Sequence, residues 1–170
     1  MSTDVNIGDA LTTRAYLNPR KEALFDVASE QRFTYSELNA RANQVSHALQ
    51  AKGLGKGDRV ALLAYNGHEF LESFFGPAKA GVVIMPLNWR LTADELSFIL
   101  KDGGATALVF DADFAPVVEQ IRSKGAEGSD IEHWICIGDD KPDYAEDYES
   151  LLAAQNSQEP EEKASADDNL

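Results

Sequence analysis

The sequence predicts an α/β fold, a mainly parallel sheet with helices on both faces, preceded by a short helix and a hairpin. Three observations predict it. Apolar runs of strand length alternate with helical stretches from Arg59 to Gly138. Those runs are nearly continuous in apolar residues, as strands covered on both faces are. Two capping boxes, Thr34-Tyr-Ser-Glu37 and Thr92-Ala-Asp-Glu95, mark helix starts by reciprocal hydrogen bonding of orphan N–H groups.

The elements follow in order. Residues 7–17 read as a short helix that Asn18-Pro19 stops, because proline restrains the residue before it. Residues 23–28 and 32–35 read as two strands joined by a turn at Ser29-Glu-Gln. After Thr34, the residues Tyr35, Leu38, Ala42, Val45 and Leu49 form one apolar stripe at helical spacing. Gly53 ends that helix in the left-handed conformation a C-cap wants. Residues 59–64 read as a buried strand, 68–80 as a helix with a kink expected at Gly76-Pro77, and 82–87 as the next strand. Thr92 opens a helix to about Lys101. Residues 105–110 and 132–137 read as strands, with a helix from Phe114 to about Lys124 between them. Residues 144–154 read as one short helix. Gln155 to Asn169 is polar, acidic and free of aromatic residues, and reads as a linker.

At 170 residues, with 44% hydrophobic and 26% charged residues, the chain has enough material for a core. The net charge is −14, of which residues 1–138 carry −5 and residues 139–170 carry −9. The acidity therefore gathers in a solvated end segment. Nucleic acid is excluded as a partner, since phosphate neutralisation needs clustered Lys and Arg. No secretory leader opens the sequence and no apolar run is long enough to span a bilayer, so the expected localisation is cytoplasmic. The single Cys136 sits in the apolar run His133-Trp-Ile-Cys-Ile and reads as a buried strand thiol.

No catalytic, cofactor-binding or metal-ligating residue is assigned. Gly53-Leu-Gly-Lys-Gly57 ends a helix and opens a strand, the reverse of the order a phosphate-binding glycine loop requires, so it reads as a turn. His47, His68 and His133 form no metal-ligand spacing. Asp111-Ala-Asp113 lies past a strand end, where ligands bind in parallel sheets, but N-capping of the next helix explains it more simply. Phe74, Phe75 and Trp89 read as core or interface before ligand pocket. No Ser lies in a nucleophile elbow.

Several segments go further when taken in order. They are residues 33–43 (Phe-Thr-Tyr-Ser-Glu-Leu-Asn-Ala-Arg-Ala-Asn), 53–61 (Gly-Leu-Gly-Lys-Gly-Asp-Arg-Val-Ala), 66–70 (Asn-Gly-His-Glu-Phe), 80–91 (Ala-Gly-Val-Val-Ile-Met-Pro-Leu-Asn-Trp-Arg-Leu), then Glu95-Leu and Leu100-Lys-Asp. Together they resemble the opening of the large N-terminal domain of the adenylate-forming acyl-CoA synthetases, the AMP-dependent synthetase/ligase family, in its fatty-acid–CoA ligase branch. The resemblance implies a parent acid–thiol ligase. Such an enzyme uses ATP and Mg²⁺ to make an acyl-AMP from a carboxylic, here fatty, acid, and then a thioester with CoA. It implies that residues 1–138 begin the AMP-binding domain. Residues 139–170 form an acidic, partly helical linker, and Ala164 to Leu170 resemble the lead-in to the family's ATP loop. The expected partners are the remainder of the enzyme and its acid substrate, and the segment alone is expected to bind no cofactor and to be inactive. The competing reading is a small α/β binding or interaction module without catalysis.

Overall fold

The computed structural model describes residues 6–161, and within them the chain forms two compact units. The first holds residues 6–57, 66–83 and 152–161. The second holds 58–65 and 84–151.

The first unit opens with helix α1 (Ile7–Leu17), capped by Asn6 in a reciprocal box with Asp9. Strands β1 (Glu22–Asp26) and β2 (Gln31–Thr34) pair antiparallel as the expected hairpin. The turn between them places Glu30 at φ 57°, and Asp26 Oδ1 accepts from Ala28 N at 2.9 Å to close it. Helix α2 (Tyr35–Ala51) starts at the Thr34–Glu37 box. Leu38, Ala42, Val45 and Leu49 of its predicted stripe are buried, each contributing through removal of apolar surface from water. It ends as expected, with Gly53 at φ 81° and Leu54 N donating back to Leu49 O.

Helix α3 (His68–Ala80) runs as one element through Pro77 and stops at Gly81, at φ 70°. It packs on α2 where Gly76 faces Val45. A Cβ built on Gly76 would lie 2.5 Å from that of Val45, so only glycine admits the helices this close.

The second unit is the sheet. It contains β3 (Arg59–Leu63), β4 (Val83–Pro86), β5 (Ala107–Asp111), β6 (His133–Ile137) and β7 (Glu146–Asp147), in the order β4-β3-β5-β6-β7. The β3–β5, β5–β6 and β6–β7 pairs are parallel. Ala61, Leu63, Leu108, Phe110 and Cys136 form one buried face with Leu96 and Leu100 of helix α4 (Ala93–Gly103) and Val118 and Ile121 of helix α5 (Ala115–Ser123). The alternate residues Val60, Leu62, Val109 and Ile135 are equally buried, so both faces are covered, as the continuous apolar runs implied. The Thr92 box opens α4, and Gly104 closes it at φ 65°.

Three local readings shift. A 3-10 turn at Ala112–Phe114 precedes α5, so that helix starts one residue later than read. The last predicted helix is shorter, α6 (Tyr148–Ala153), because Glu146 and Asp147 pair with Ile135 and Cys136 as a fifth strand. Residues 155–161, whose composition reads as linker, are seated by hydrogen bonds on α2, while residues 162–169 of that reading lie outside the described residues.

Candidate functional site

In a parallel sheet, ligands bind beyond the carboxyl ends of the strands. Here that edge carries an aromatic cluster in the second unit. Tyr65 follows β3, Trp89 follows β4, and Phe114 follows β5. The ring centroids of Tyr65 lie 5.4 Å from Trp89 and 4.8 Å from Phe114. Phe114 is buried, while Tyr65 and Trp89 remain 44% and 40% exposed. Burying the first anchors the other two with their rings half open to solvent. The Arg90 guanidinium lies 4.2 Å over the Trp89 ring, and Arg90 N donates to Asn88 Oδ1, which fixes the turn after β4.

Asp111 belongs to this edge rather than to a helix cap. Its side chain makes no capping bond to the following 3-10 turn. Its Oδ2 instead accepts from Tyr65 N at 2.6 Å, tying the end of β5 to the residue after β3. Burial raises its pKa, against the Tyr65 bond that lowers it. The edge thus joins Asp111, Tyr65, Trp89 and Phe114, three of which come from segments separated by at least 20 residues in sequence. Asp113 is exposed and outside the group.

A second cluster, in the first unit, was not legible as a group. Asp26, at the end of β1, is 6% exposed, and His68, at the start of α3, is 5% exposed. Asp26 Oδ2 accepts from His68 N at 3.2 Å and from His68 Nδ1 at 2.8 Å, and Glu69 Oε2 lies 3.2 Å from the same ring nitrogen. Hydrogen bonding from His68 holds the Asp26 carboxyl well below the usual carboxylate range, whereas burial pushes Glu69 up. The cause is a missing cap. The N-cap position of α3 is Gly67, which has no side chain to offer, so a carboxylate from the hairpin caps the helix from outside. A glycine immediately before a helix is the signal that could have prompted the search for such a remote cap. Phe33 stacks on the His68 ring at 4.8 Å and completes the enclosure.

The Asp26–His68–Glu69 group does not fit the Mg²⁺ that the resemblance implies. Asp26, His68 and Glu69 are the one group of three metal-capable side chains among the described residues. Both Asp26 oxygens already accept peptide N–H donors, and the positive end of α3 opposes a cation there. Gly53 and Gly57 sit at φ 81° and 87° in a helix-to-strand turn, as read, and cradle no helix N-terminus. His47, His68 and His133 lie on three different elements. No helix among the described residues is long and apolar enough to cross a membrane.

A parallel sheet covered on both faces, with exposed aromatics at its carboxyl edge, defines an α/β protein of the kind that binds ligands beyond its strand ends. The chain belongs to the AMP-binding enzyme family, whose model matches residues 11–170. It is 39% identical, over 97% of its length, to the long-chain-fatty-acid–CoA ligase FadD13 of Mycobacterium tuberculosis, and covers 31% of that relative. It is 48% identical, over 55% of its length, to the fatty acid–[acyl-carrier-protein] ligase ScoC of Streptomyces coeruleorubidus, covering 18% of it. The fold matches the inhibitor-bound N-terminal domain of FACL13 from Mycobacterium tuberculosis with a TM-score of 0.86 at 38% identity, covering 96% of this chain and 39% of that one. It also matches the anthranilate CoA ligase AuaEII in complex with anthranoyl-AMP, with a TM-score of 0.90 at 27% identity, covering 99% and 32%. The chain thus spans about a third of the length of the fatty-acid–CoA ligase it matches.

Proposed function

We propose that the chain is the N-terminal segment of an ATP-dependent acyl-CoA synthetase acting on fatty acids in the cytoplasm. Residues 1–138 would open its AMP-binding domain, and residues 139–170 would lead toward its ATP loop. The observation that carries this is the 39% identity over 97% of the chain to a long-chain-fatty-acid–CoA ligase. The fold match to an N-terminal domain of the same type supports it. The fatty-acid branch is favoured because both ScoC and FadD13 are named for fatty acids.

The residues in hand supply scaffold rather than chemistry. Phosphoryl and adenylyl transfer need a flexible loop for the phosphates and cationic groups for developing charge. Under this reading ATP, CoA and Mg²⁺ belong to the remainder of the parent enzyme. The isolated 170-residue chain is therefore inactive under this reading. The aromatic edge of Tyr65, Trp89 and Phe114 is the wall this segment contributes.

The test has two arms. The encoding DNA is read past Leu170, and the longer product, if there is one, is assayed for fatty-acid-dependent release of pyrophosphate from ATP. Calorimetric titration of the 170-residue chain with ATP or CoA is expected to show no heat of binding. A stop codon with no glycine-rich loop downstream, or a longer product inert toward every fatty acid, would overturn the reading in favour of a non-catalytic module.

A further inference from the structure

Helix α2 carries a row of polar side chains at Asn39, Asn43 and His47, with Gln44 beside it. Spacings of four place the first three on one face, one above the other. Asn39 and Asn43 are buried, a poor choice for a helix that could cover that face with leucine. Their partners explain the choice. Asn43 Nδ2 donates to Ser157 O at 2.9 Å, Gln44 Nε2 to Leu152 O at 3.1 Å and Gln155 O at 3.4 Å, and His47 Nε2 lies 2.9 Å from Gln158 O. The row reads successive carbonyls of the segment that returns along it.

The segment ends in a charged anchor. Asn39 Nδ2 donates to Glu159 Oε1 at 2.6 Å, and Asn43 Nδ2 reaches the same oxygen at 3.3 Å. Lys79 Nζ of α3 meets Glu159 Oε2 at 2.8 Å, and Thr12 Oγ1 of α1 meets it at 3.1 Å. Lys79 also donates to Thr12 Oγ1 and to Asn39 Oδ1. Gly8 of α1 gives the lysine stem its passage, since a Cβ there would lie 2.8 Å from Lys79 Cγ. Three helices therefore converge on one carboxylate. The Lys79 side chain is 4% exposed, so without Glu159 its ammonium would be left in a site from which water is largely excluded.

We propose that residues 155–160 form a strap, read by the polar face of α2 and locked there by Glu159, which holds this stretch of the chain in a fixed place on the three helices. The lock is local: it joins α1, α2 and α3 to six residues and uses no group from the sheet. It depends on no step of the ligase chemistry, so the strap and the proposed function fail separately. Neutralising Glu159 keeps the shape of the side chain but removes the charge that Lys79 faces. The carbonyl contacts alone are single neutral hydrogen bonds, each contributing little on balance.

The test is backbone ¹⁵N relaxation on the 170-residue chain at pH 7, comparing wild type with Glu159→Gln. In the wild type, order parameters across 155–159 are expected at about 0.85, the level of rigid backbone. In Glu159→Gln they should fall below about 0.6 over those residues only, with α2 and β5 unchanged. The double variant Gln44→Ala/His47→Ala serves as the second arm, because it removes donors to the strap from half-buried positions without touching the Lys79 cluster. It should loosen residues 155–158 and leave Glu159 held. Wild-type order below about 0.6 across the segment would overturn the strap. So would a Glu159→Gln spectrum unchanged in this region, or loosening that spreads evenly through all the elements.

Discussion

Removing the Asp26 carboxylate tests the remote cap directly. In Asp26→Ala, four bonds vanish together: those from Ala28 N, Ser29 N, His68 N and His68 Nδ1. Both side chains of the Asp26–His68 pair are about 95% buried, so solvent cannot replace the lost acceptor. Leaving buried donors without an acceptor costs about 1–3 kcal/mol each, so losing these bonds together should cost about 3–5 kcal/mol. With a urea m-value of about 2 kcal/mol/M, the midpoint should fall by about 2 M. The readout separates the units. Trp89 and Trp134 both lie in the second, so tryptophan fluorescence follows the sheet, while far-UV circular dichroism also follows α1, α2 and α3. The dichroism transition should move to lower urea by more than the fluorescence transition. The pH dependence has a definite sign. The folded Asp26 pKa is depressed, so its stabilisation is complete above the unfolded aspartate value of about 3.9 and drains away as pH falls through the lower folded value. The gap between wild type and variant should hold from pH 8 to 5 and narrow below about 4. A midpoint shift under about 0.5 M at pH 7, or a gap that does not narrow in acid, would refute the assignment of Asp26 as the cap of α3.

Two further outcomes follow from packing and burial. Gly76→Ala should destabilise by about 1–3 kcal/mol, because the new Cβ meets Val45 at 2.5 Å and Ala42 O at 2.9 Å. That clash outweighs the gain of about 1 kcal/mol in helix propensity, and thermal unfolding gives the sign. Cys136 should resist a thiol-labelling reagent in native buffer at pH 8 and react in step with urea unfolding. Burial, then the Asp111 and Asp147 carboxylates, pushes its thiol up to about 11, leaving about one part in a thousand as thiolate.

Elements with a local cause were legible in the sequence, and contacts with a remote cause were not. The Thr34 and Thr92 boxes carry both partners within four residues, and both appear as read. The stripe of α2 and the continuous strand runs are periodicities of the chain itself, so burial follows them closely. The strand at Glu146–Asp147 escaped because two charged residues carry no strand pattern, and only the parallel edge of β6 makes them one. Asp111 was read as a helix cap by sequence proximity, yet its partner is Tyr65, 46 residues away. Asn39, Asn43 and Lys79 carry no local signal of their burial, because the carboxylate that justifies it stands at residue 159.

Buried polarity is also distributed unevenly. Asp26, His68, Glu72 and Lys79, the buried acidic and basic residues among those described, all lie in the first unit, while the second buries Ser97 and Ser129 together with Cys136 and Tyr148. Parallel strands need no such devices, since a ladder of backbone bonds fixes their register. Three short helices and a hairpin have no ladder between them, and apolar stripes alone let helices slide or rotate. The Arg41–Glu72 pair is the clearest case. Glu72 is fully buried and accepts from Arg41 Nε at 2.5 Å and Nη2 at 3.0 Å, a two-pronged contact with one geometry. Glu72→Ala should therefore cost about 3 kcal/mol, since the Arg41 guanidinium loses its two-pronged carboxylate partner. The double replacement Arg41→Met/Glu72→Leu should recover most of that loss in urea unfolding, because a well-packed apolar pair of similar volume is commonly neutral or better. If the pair exists to fix how α2 meets α3, the recovered protein should show broadened amide resonances in those two helices and sharp ones in the sheet. A double variant as weak as Glu72→Ala would mean that the pair itself stabilises the unit. One with native stability and uniformly sharp resonances would mean that Gly76 and Val45 already set the helix register without it.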